Sequence, residues 1–245
     1  MALFQGVFRS AALNQDTCFN VIIPQDCPKE ELRTVYLLHG MHGDHTGWCR
    51  KTSIERYAQD RRLAIVMPDG ENGFYTDMKY GKKHYTYVST ELVDYTRRIF
   101  RLSEKRENTF ICGLSMGGYG ALKIALKHPE RYAAVAGLSS VADAQNFIEV
   151  HAPKVGLLAF GEEMKVPASE DLFCLAEACN SSEIKPRVLM IEGLQDFLLD
   201  GNVRLKEKFE SLDYDYTYID APGGHSWAFW DKHIQYVLKW MLGKV

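Results

Sequence analysis

Runs that are almost wholly apolar recur along the chain at residues 34–38, 63–67, 109–112, 133–138 and 187–191. Runs of this kind are the mark of strands buried on both faces of a parallel sheet. Residues 214–219 alternate between apolar and polar and predict a last strand. Residues 4–9 and 17–23, the second stopped by Pro24 with Pro28 in the loop beyond, predict a pair of antiparallel edge strands. Between the runs lie stretches of helical period at 53–61, with Ser53 as N-cap, and at 85–102, 121–126, 203–212 and 226–242. Strands alternating with helices predict an α/β fold with a mostly parallel central sheet. Residues 139–186 are the least regular, broken by Pro153, Gly156, Gly161 and Pro167, and are read as a cap-like insertion over the site within a single domain spanning 1–245.

Length supports that reading, because 245 residues with 46% hydrophobic content can bury one large core. A net charge of −3 with both signs interspersed offers no basic face for nucleic acid. The N-terminal residues lack a basic start and an apolar run, and no window is long enough to span a membrane, so a cytoplasmic protein without a membrane partner is expected. Six scattered cysteines without Cys-x-x-Cys spacing read as reduced packing residues. The edge strands and the aromatic content leave room for a homo-oligomer.

Chemistry enters at Gly113-Leu114-Ser115-Met116-Gly117-Gly118-Tyr119-Gly120, which sits between an apolar run and a helix. Glycines two residues either side of Ser115 let a strand reverse into a helix within one cramped turn, with the serine strained at its apex and its hydroxyl exposed. The first free amide of that helix, on Met116, is then aimed at any oxyanion formed there. A serine needs a base, and the base a group that fixes its tautomer. In an open α/β sheet both should stand just beyond a strand's carboxyl end. Among eight histidines His225, in Ala221-Pro222-Gly223-Gly224-His225, meets that condition. Asp196 meets it among the acids, with Asp200 its nearest rival. The order Ser115, Asp196, His225 is that of α/β-hydrolases, and Met41 N–H, after His39-Gly40, supplies a second oxyanion donor. A competing zinc reading of His39, His42, Asp44 and His45 lacks the first histidine of the metallo-hydrolase pattern and any later histidine cluster, so no metal is expected. A non-catalytic scaffold of the same fold would be expected to have lost a triad member, and none is missing here.

With these residues identified, the chain resembles the α/β-hydrolase family of serine esterases that includes esterase D, S-formylglutathione hydrolase, bacterial tributyrin esterase and feruloyl-esterase-like enzymes. The likeness covers about residues 35–240 and is nearest to the intracellular tributyrin esterase branch. It is carried by His39-Gly40-Met41, Asn72-Gly73-Phe74-Tyr75-Thr76-Asp77, the Ser115 turn, Asp196-Phe197-Leu198 and Gly224-His225-Ser226-Trp227. The resemblance implies a carboxylic-ester hydrolase that needs no cofactor, acts on short-chain acyl esters and uses Ser115, Asp196 and His225. S-formylglutathione hydrolases usually carry histidine before the nucleophile where this chain has Leu114, which weighs against the glutathione thioester as substrate. Trp48, Phe74, Tyr75 and Trp227 fall in loops near the carboxyl edge and are expected to line the substrate pocket.

Overall fold

The computed structural model describes residues 1–26 and 31–243; Cys27 and Pro28 lie outside the described residues. Its strands are β1 (Ala2–Ser10), β2 (Gln15–Ile23), β3 (Thr34–Leu38), β4 (Ala64–Pro68), β5 (Thr109–Leu114), β6 (Ala134–Leu138), β7 (Arg187–Gly193) and β8 (Tyr216–Ala221). They form one sheet in the order β1-β2-β4-β3-β5-β6-β7-β8. The β1–β2 hairpin is antiparallel and joins β4 antiparallel; every pair beyond is parallel. The expected α/β-hydrolase architecture is therefore present.

The helices are α1 (Gly47–Lys51), α2 (Ile54–Gln59), α3 (His84–Thr86), α4 (Leu92–Ile99), α5 (Met116–Lys127), α6 (Ala144–Val150), α7 (Pro153–Phe160), α8 (Leu172–Asn180), α9 (Leu199–Glu210) and α10 (Trp227–Met241). Side chains alternate across the sheet, so Val35, Leu37, Ile65 and Met67 meet Ile54 of α2 and Ile234, Val237 and Leu238 of α10. Tyr36, Leu38, Val66 and Ile111 face the other way, onto α4, α5, α8 and α9. The central strands β3 to β6 are buried along their whole length, which explains their almost wholly apolar runs.

Three local expectations change. The 85–102 stretch starts at His84, passes through a π-helical turn at Tyr87–Glu91 and ends at Ile99. It ends early because Leu32 N–H donates to Arg101 O (2.9 Å) and Ser103 N–H to Leu32 O (3.0 Å), drawing the chain into an extended bridge. Ser53 stands at the N-cap of α2, but the Thr52 hydroxyl accepts the Ile54 N–H there (3.1 Å). Residues 139–186 hold three helices, of which α8 packs on α5 as an ordinary crossover. Helices α6 and α7 dock on the 72–83 loop, with Phe147 and Phe160 against Phe74 and two backbone hydrogen bonds from Lys79 and Tyr80 to Ala159 and Leu158.

A buried ionic knot fastens this segment to α5. Lys123, fully buried, donates to Glu170 Oε2 (2.5 Å) and Thr76 Oγ1 (2.7 Å), and Lys127 lies 3.2 Å from Glu170 Oε1. Burial brings the Lys123 ammonium down to about 8 despite the carboxylate beside it. Glu170 is also penalised by burial, yet facing two ammonium groups it stays below its ordinary range. Removing one member of such a pair strands a buried charge. Glu170→Ala should therefore lower unfolding free energy by roughly 3–5 kcal/mol in urea titration. A loss under about 1 kcal/mol would show that the knot is solvated like a surface pair.

Candidate active site

The turn at Ser115 is the junction of β5 and α5, and Ser115 adopts φ 55°, ψ −121°, a left-handed conformation costly for a non-glycine residue. Three bonds hold it there. Ser115 N–H donates to Leu138 O (2.9 Å), and Ser115 O accepts from Tyr119 N–H (3.1 Å) and Val141 N–H (3.2 Å). A Cβ on Gly117 would stand 2.5 Å from His39 O and 2.6 Å from Leu38 O, so only glycine lets the first turn of α5 come this close to β3. The hydroxyl is not displayed at the surface as expected: Ser115 is only 5% exposed, at the floor of a cleft of about 340 Å³.

Ser115 Oγ is 3.0 Å from His225 Nε2, and His225 Nδ1 is 2.9 Å from Asp196 Oδ2. An ionised carboxylate can only accept, so Nδ1 carries the proton and the Nε2 lone pair faces the hydroxyl. The loops that bring these groups together are tied to one another. Leu194 N–H donates to Ala221 O and Gln195 N–H to Gly223 O, both at 2.9 Å, and Gly223 N–H returns a bond to Gln195 Oε1. Burial works against the Asp196 charge, but His225, Leu198 N–H (3.0 Å) and the Ser139 hydroxyl stabilise it, and its carboxyl titrates below the ordinary range. Asp200, the rival acid, is exposed in the first turn of α9 and lines a separate depression with Arg204.

Met41 and Met116 N–H have no hydrogen-bond acceptor among the described residues, which leaves both free for an anion forming beside Ser115. The Met116 side chain is buried, whereas Met41 lines the cleft. His39 is a loop-fixing residue: buried, it receives Gly70 N–H on Nε2 (2.8 Å) and meets Gly40 O through Nδ1 (2.7 Å). Burial lowers its pKa and keeps the ring neutral. With both its nitrogens engaged, His39 has no lone pair for a metal, and among the described residues no three His, Cys, Asp or Glu side chains are grouped to hold one.

Of the aromatic residues expected in the pocket, Trp227 lines the cleft. Trp48, Phe74 and Tyr75 do not, and that expectation is corrected: each is at most 1% exposed. Trp48 donates to Leu38 O (3.2 Å) and supports Trp227 edge to face, Tyr75 donates to His39 O (2.9 Å), and Phe74 packs on Tyr119. These three rings are spent on supporting the loops, and of the four Trp227 is the one that reaches the cleft. Nor does any residue of 139–186 line the cleft, so the segment flanks the site and does not roof it. It touches the site at its start, where Val141 N–H donates to Ser115 O (3.2 Å), and again at His151, whose ring meets Phe197, which in turn packs on His225 (centroids 4.9 and 4.8 Å).

The sequence reading missed Arg50 and Lys51, which line the cleft from the unanticipated α1, and Ser139 behind Asp196. Ser139 stands directly after β6, so the strand-end filter that selected Asp196 and His225 would have found it. The Ser139 hydroxyl accepts from Trp230 Nε1 (3.1 Å) and helps to lower the Asp196 carboxyl.

Residues 10–241 match the sequence model of a family described as Putative esterase. The chain belongs to that family. This esterase is 31% identical to the acetyl esterase of Caldicellulosiruptor saccharolyticus, with 98% of each chain covered. Its fold is similar to that of the substrate-bound fluorophosphonate-binding serine hydrolase F of Staphylococcus aureus, at 33% identity, TM-score 0.91 and 98% coverage of both chains. It also resembles the S-formylglutathione hydrolase of the same organism, with 33% identity, TM-score 0.89 and the same coverage. The esterase is a serine hydrolase of carboxylic esters. Among the described residues none of its helices is long and apolar enough to cross a membrane.

Gly40 tests how tightly the site is built, since an added Cβ would meet Leu114 Cδ1 at 2.5 Å and Ser115 Cβ at 3.2 Å. Gly40→Ala should displace the serine or the Met41 loop and lower kcat/KM on p-nitrophenyl acetate by about a hundredfold. Unchanged turnover with a normal melting curve would mean that the loop moves aside freely.

Proposed function

We propose that Ser115, His225 and Asp196 form the catalytic triad of a short-chain acyl esterase; the observation that carries the reading is the continuous hydrogen-bonded path from Ser115 Oγ through His225 to Asp196. His225 Nε2 takes the hydroxyl proton as Oγ attacks the acyl carbon. The carbonyl π electrons move onto oxygen, and the amides of Met41 and Met116 receive that oxyanion. Collapse breaks the ester bond, and the alcohol leaves with the proton from His225 Nε2. Water then repeats the sequence on the acyl-enzyme, releasing the acid and free Ser115. Asp196 holds the imidazole in its tautomer and balances the charge it gains.

Ser115→Ala should remove turnover by several orders of magnitude without lowering stability much, measured by kcat/KM beside thermal denaturation. Asp196→Asn should lower kcat severely by favouring the wrong tautomer of His225, whereas Asp200→Asn should leave it near the parent value. The opposite ranking would transfer the acid's role to Asp200.

Acetyl to butyryl groups fit a cleft whose walls beside Ser115 are Met41 and Leu114, and the acetyl esterase relative supports the same class. On p-nitrophenyl esters of increasing chain length, an open tunnel would gain roughly fourfold in kcat/KM per methylene, from about 0.8 kcal/mol of burial each. Here kcat/KM should instead fall beyond butyrate, and a steady rise past hexanoate would overturn the short-acyl assignment.

The thioesterase reading, hydrolysis of S-formylglutathione, has one observation of its own. Arg50 and Lys51 line the cleft and no carboxylate does, which suits an anionic leaving group. Comparing kcat/KM for S-formylglutathione with that for neutral formyl and acetyl esters separates the two. A cytoplasmic setting is supported by the free thiols of Cys18, Cys49, Cys112, Cys174 and Cys179.

A further inference from the structure

Behind the acid of the triad lies a second carboxyl group for which the proposed reaction has no task. Glu192, near the end of β7, is fully buried, and the turn closed by Asp196 N–H on Gly193 O (2.9 Å) brings it close enough for the Asp196 charge to act on it. Glu192 Oε1 receives Gly193 N–H (3.0 Å), while Oε2 meets no donor. Two buried carboxylates cannot both be ionised at close range, so one of them carries a proton. The surrounding donors decide which. Asp196 is served by two, His225 Nδ1–H and Leu198 N–H, against one for Glu192.

We propose that Glu192 is held as the neutral acid and donates a hydrogen bond from Oε2 to Asp196, as a positioning residue that sets how much negative charge His225 meets. This rests on the triad reading above. A proton on Oε2 accounts for an oxygen that no donor reaches, since that oxygen then acts as a donor itself. Burial, and the Asp196 charge next to it, raise the Glu192 carboxyl to about 9.

The other groups facing Glu192 do not replace that proton. From β8 come Tyr218, whose hydroxyl burial keeps protonated and which also lacks a partner, and Asp220, in register with Glu192 but exposed. From α9 the Lys206 ammonium lies 5.1 Å over the Tyr218 ring, and Asn202 spends its amide hydrogens on Ser140 O and Leu198 O. From just after β6 and from α10, Ser139 and Trp230 are hydrogen-bonded to each other.

The proposal separates Glu192→Gln, which keeps a donor, from Glu192→Met, which keeps bulk and loses it. In Glu192→Met an unshared Asp196 charge should make His225 more basic. The acid limb of the kcat/KM–pH profile should move up by about half a unit or more, with kcat down about tenfold and KM little changed. Glu192→Gln should keep the parent's acid limb and stay within about threefold of its kcat. Above about pH 9 the parent should lose activity as Glu192 ionises against Asp196, and Glu192→Gln should be spared that loss.

A second measurement does not use activity. Between the unfolded value of 4.5 and about 9, the folded chain holds a proton that the unfolded chain releases, so the parent loses relative stability as pH rises. The melting temperature of Glu192→Gln minus that of the parent should then grow by about 4 °C or more from pH 5 to pH 8. Identical acid limbs in all three proteins, or a melting difference independent of pH, would overturn the proposal and leave the triad standing. Turnover surviving in Ser115→Ala would overturn the triad while the melting result still reported on Glu192.

Discussion

The close approach of α5 to the end of β3 is the constraint from which the site follows. With Gly117 against the carbonyls of Leu38 and His39, the chain has no room to leave β5 by an ordinary turn. Ser115 takes a strained backbone conformation, and its amide and carbonyl are tied to β6 and the segment after it. Strain of this sort costs about 1–3 kcal/mol, and it persists only because three bonds and the packing of β3, β5 and β6 fix both sides of the turn. The same compression fixes where His39 and Gly40 lie, and so where the Met41 amide is found. The Ser115 hydroxyl and the Met41 and Met116 amides are thus set by one packing event in the middle of the sheet.

The other half of the site depends on the opposite kind of interaction. His225 and Asp196 stand on loops beyond β8 and β7, and there is no strained backbone among them to lock their positions. Cross-bonds between the two loops and a set of aromatic rings, Trp48 on Trp227, Trp227 on Trp230 and Trp230 on His225, do that instead. Each edge-to-face contact contributes roughly 0.5–1.5 kcal/mol beyond its buried area. Behind them the donors around Asp196 are buried and directional, so the charge is fixed on one carboxylate, and the imidazole with it.

What could be read from the residues divides along the same line. Parallel strands, the Ser115 turn, Asp196 and His225 were legible because each is determined locally, by an apolar run and the few residues directly after it. Ser115, Asp196 and His225 come into contact as that reading requires. Features set by distant partners were not legible. Leu32 ends the helix that the 85–102 pattern would continue, and α1 is a single turn with no periodic signal. Trp48, Phe74 and Tyr75 were misassigned because a ring's place in a loop does not say which side the core will claim. Glu192 gave no sign at all, since an isolated acid at a strand end reads as a solvated residue until its neighbours are known.

Charge around the cleft bears on which half of the substrate the enzyme distinguishes. Arg50 shares its charge with Asp44 at 3.5 Å and is bound to Thr46, whereas Lys51 lies 5.4 Å over the Trp227 ring with no carboxylate on the cleft wall. In the proposed reaction the acyl carbonyl oxygen meets the Met41 and Met116 amides, and Leu114 and the Met41 side chain line the cleft with Ser115. The two cations stand on α1, and Lys51 lies over the Trp227 ring. Under the proposed reaction, selection for acyl length falls to Leu114 and Met41 and selection for charge to Arg50 and Lys51. That separation is physically natural, because apolar walls discriminate by about 1–3 kcal/mol per methylene and solvent-exposed charges act mainly through attraction at longer range.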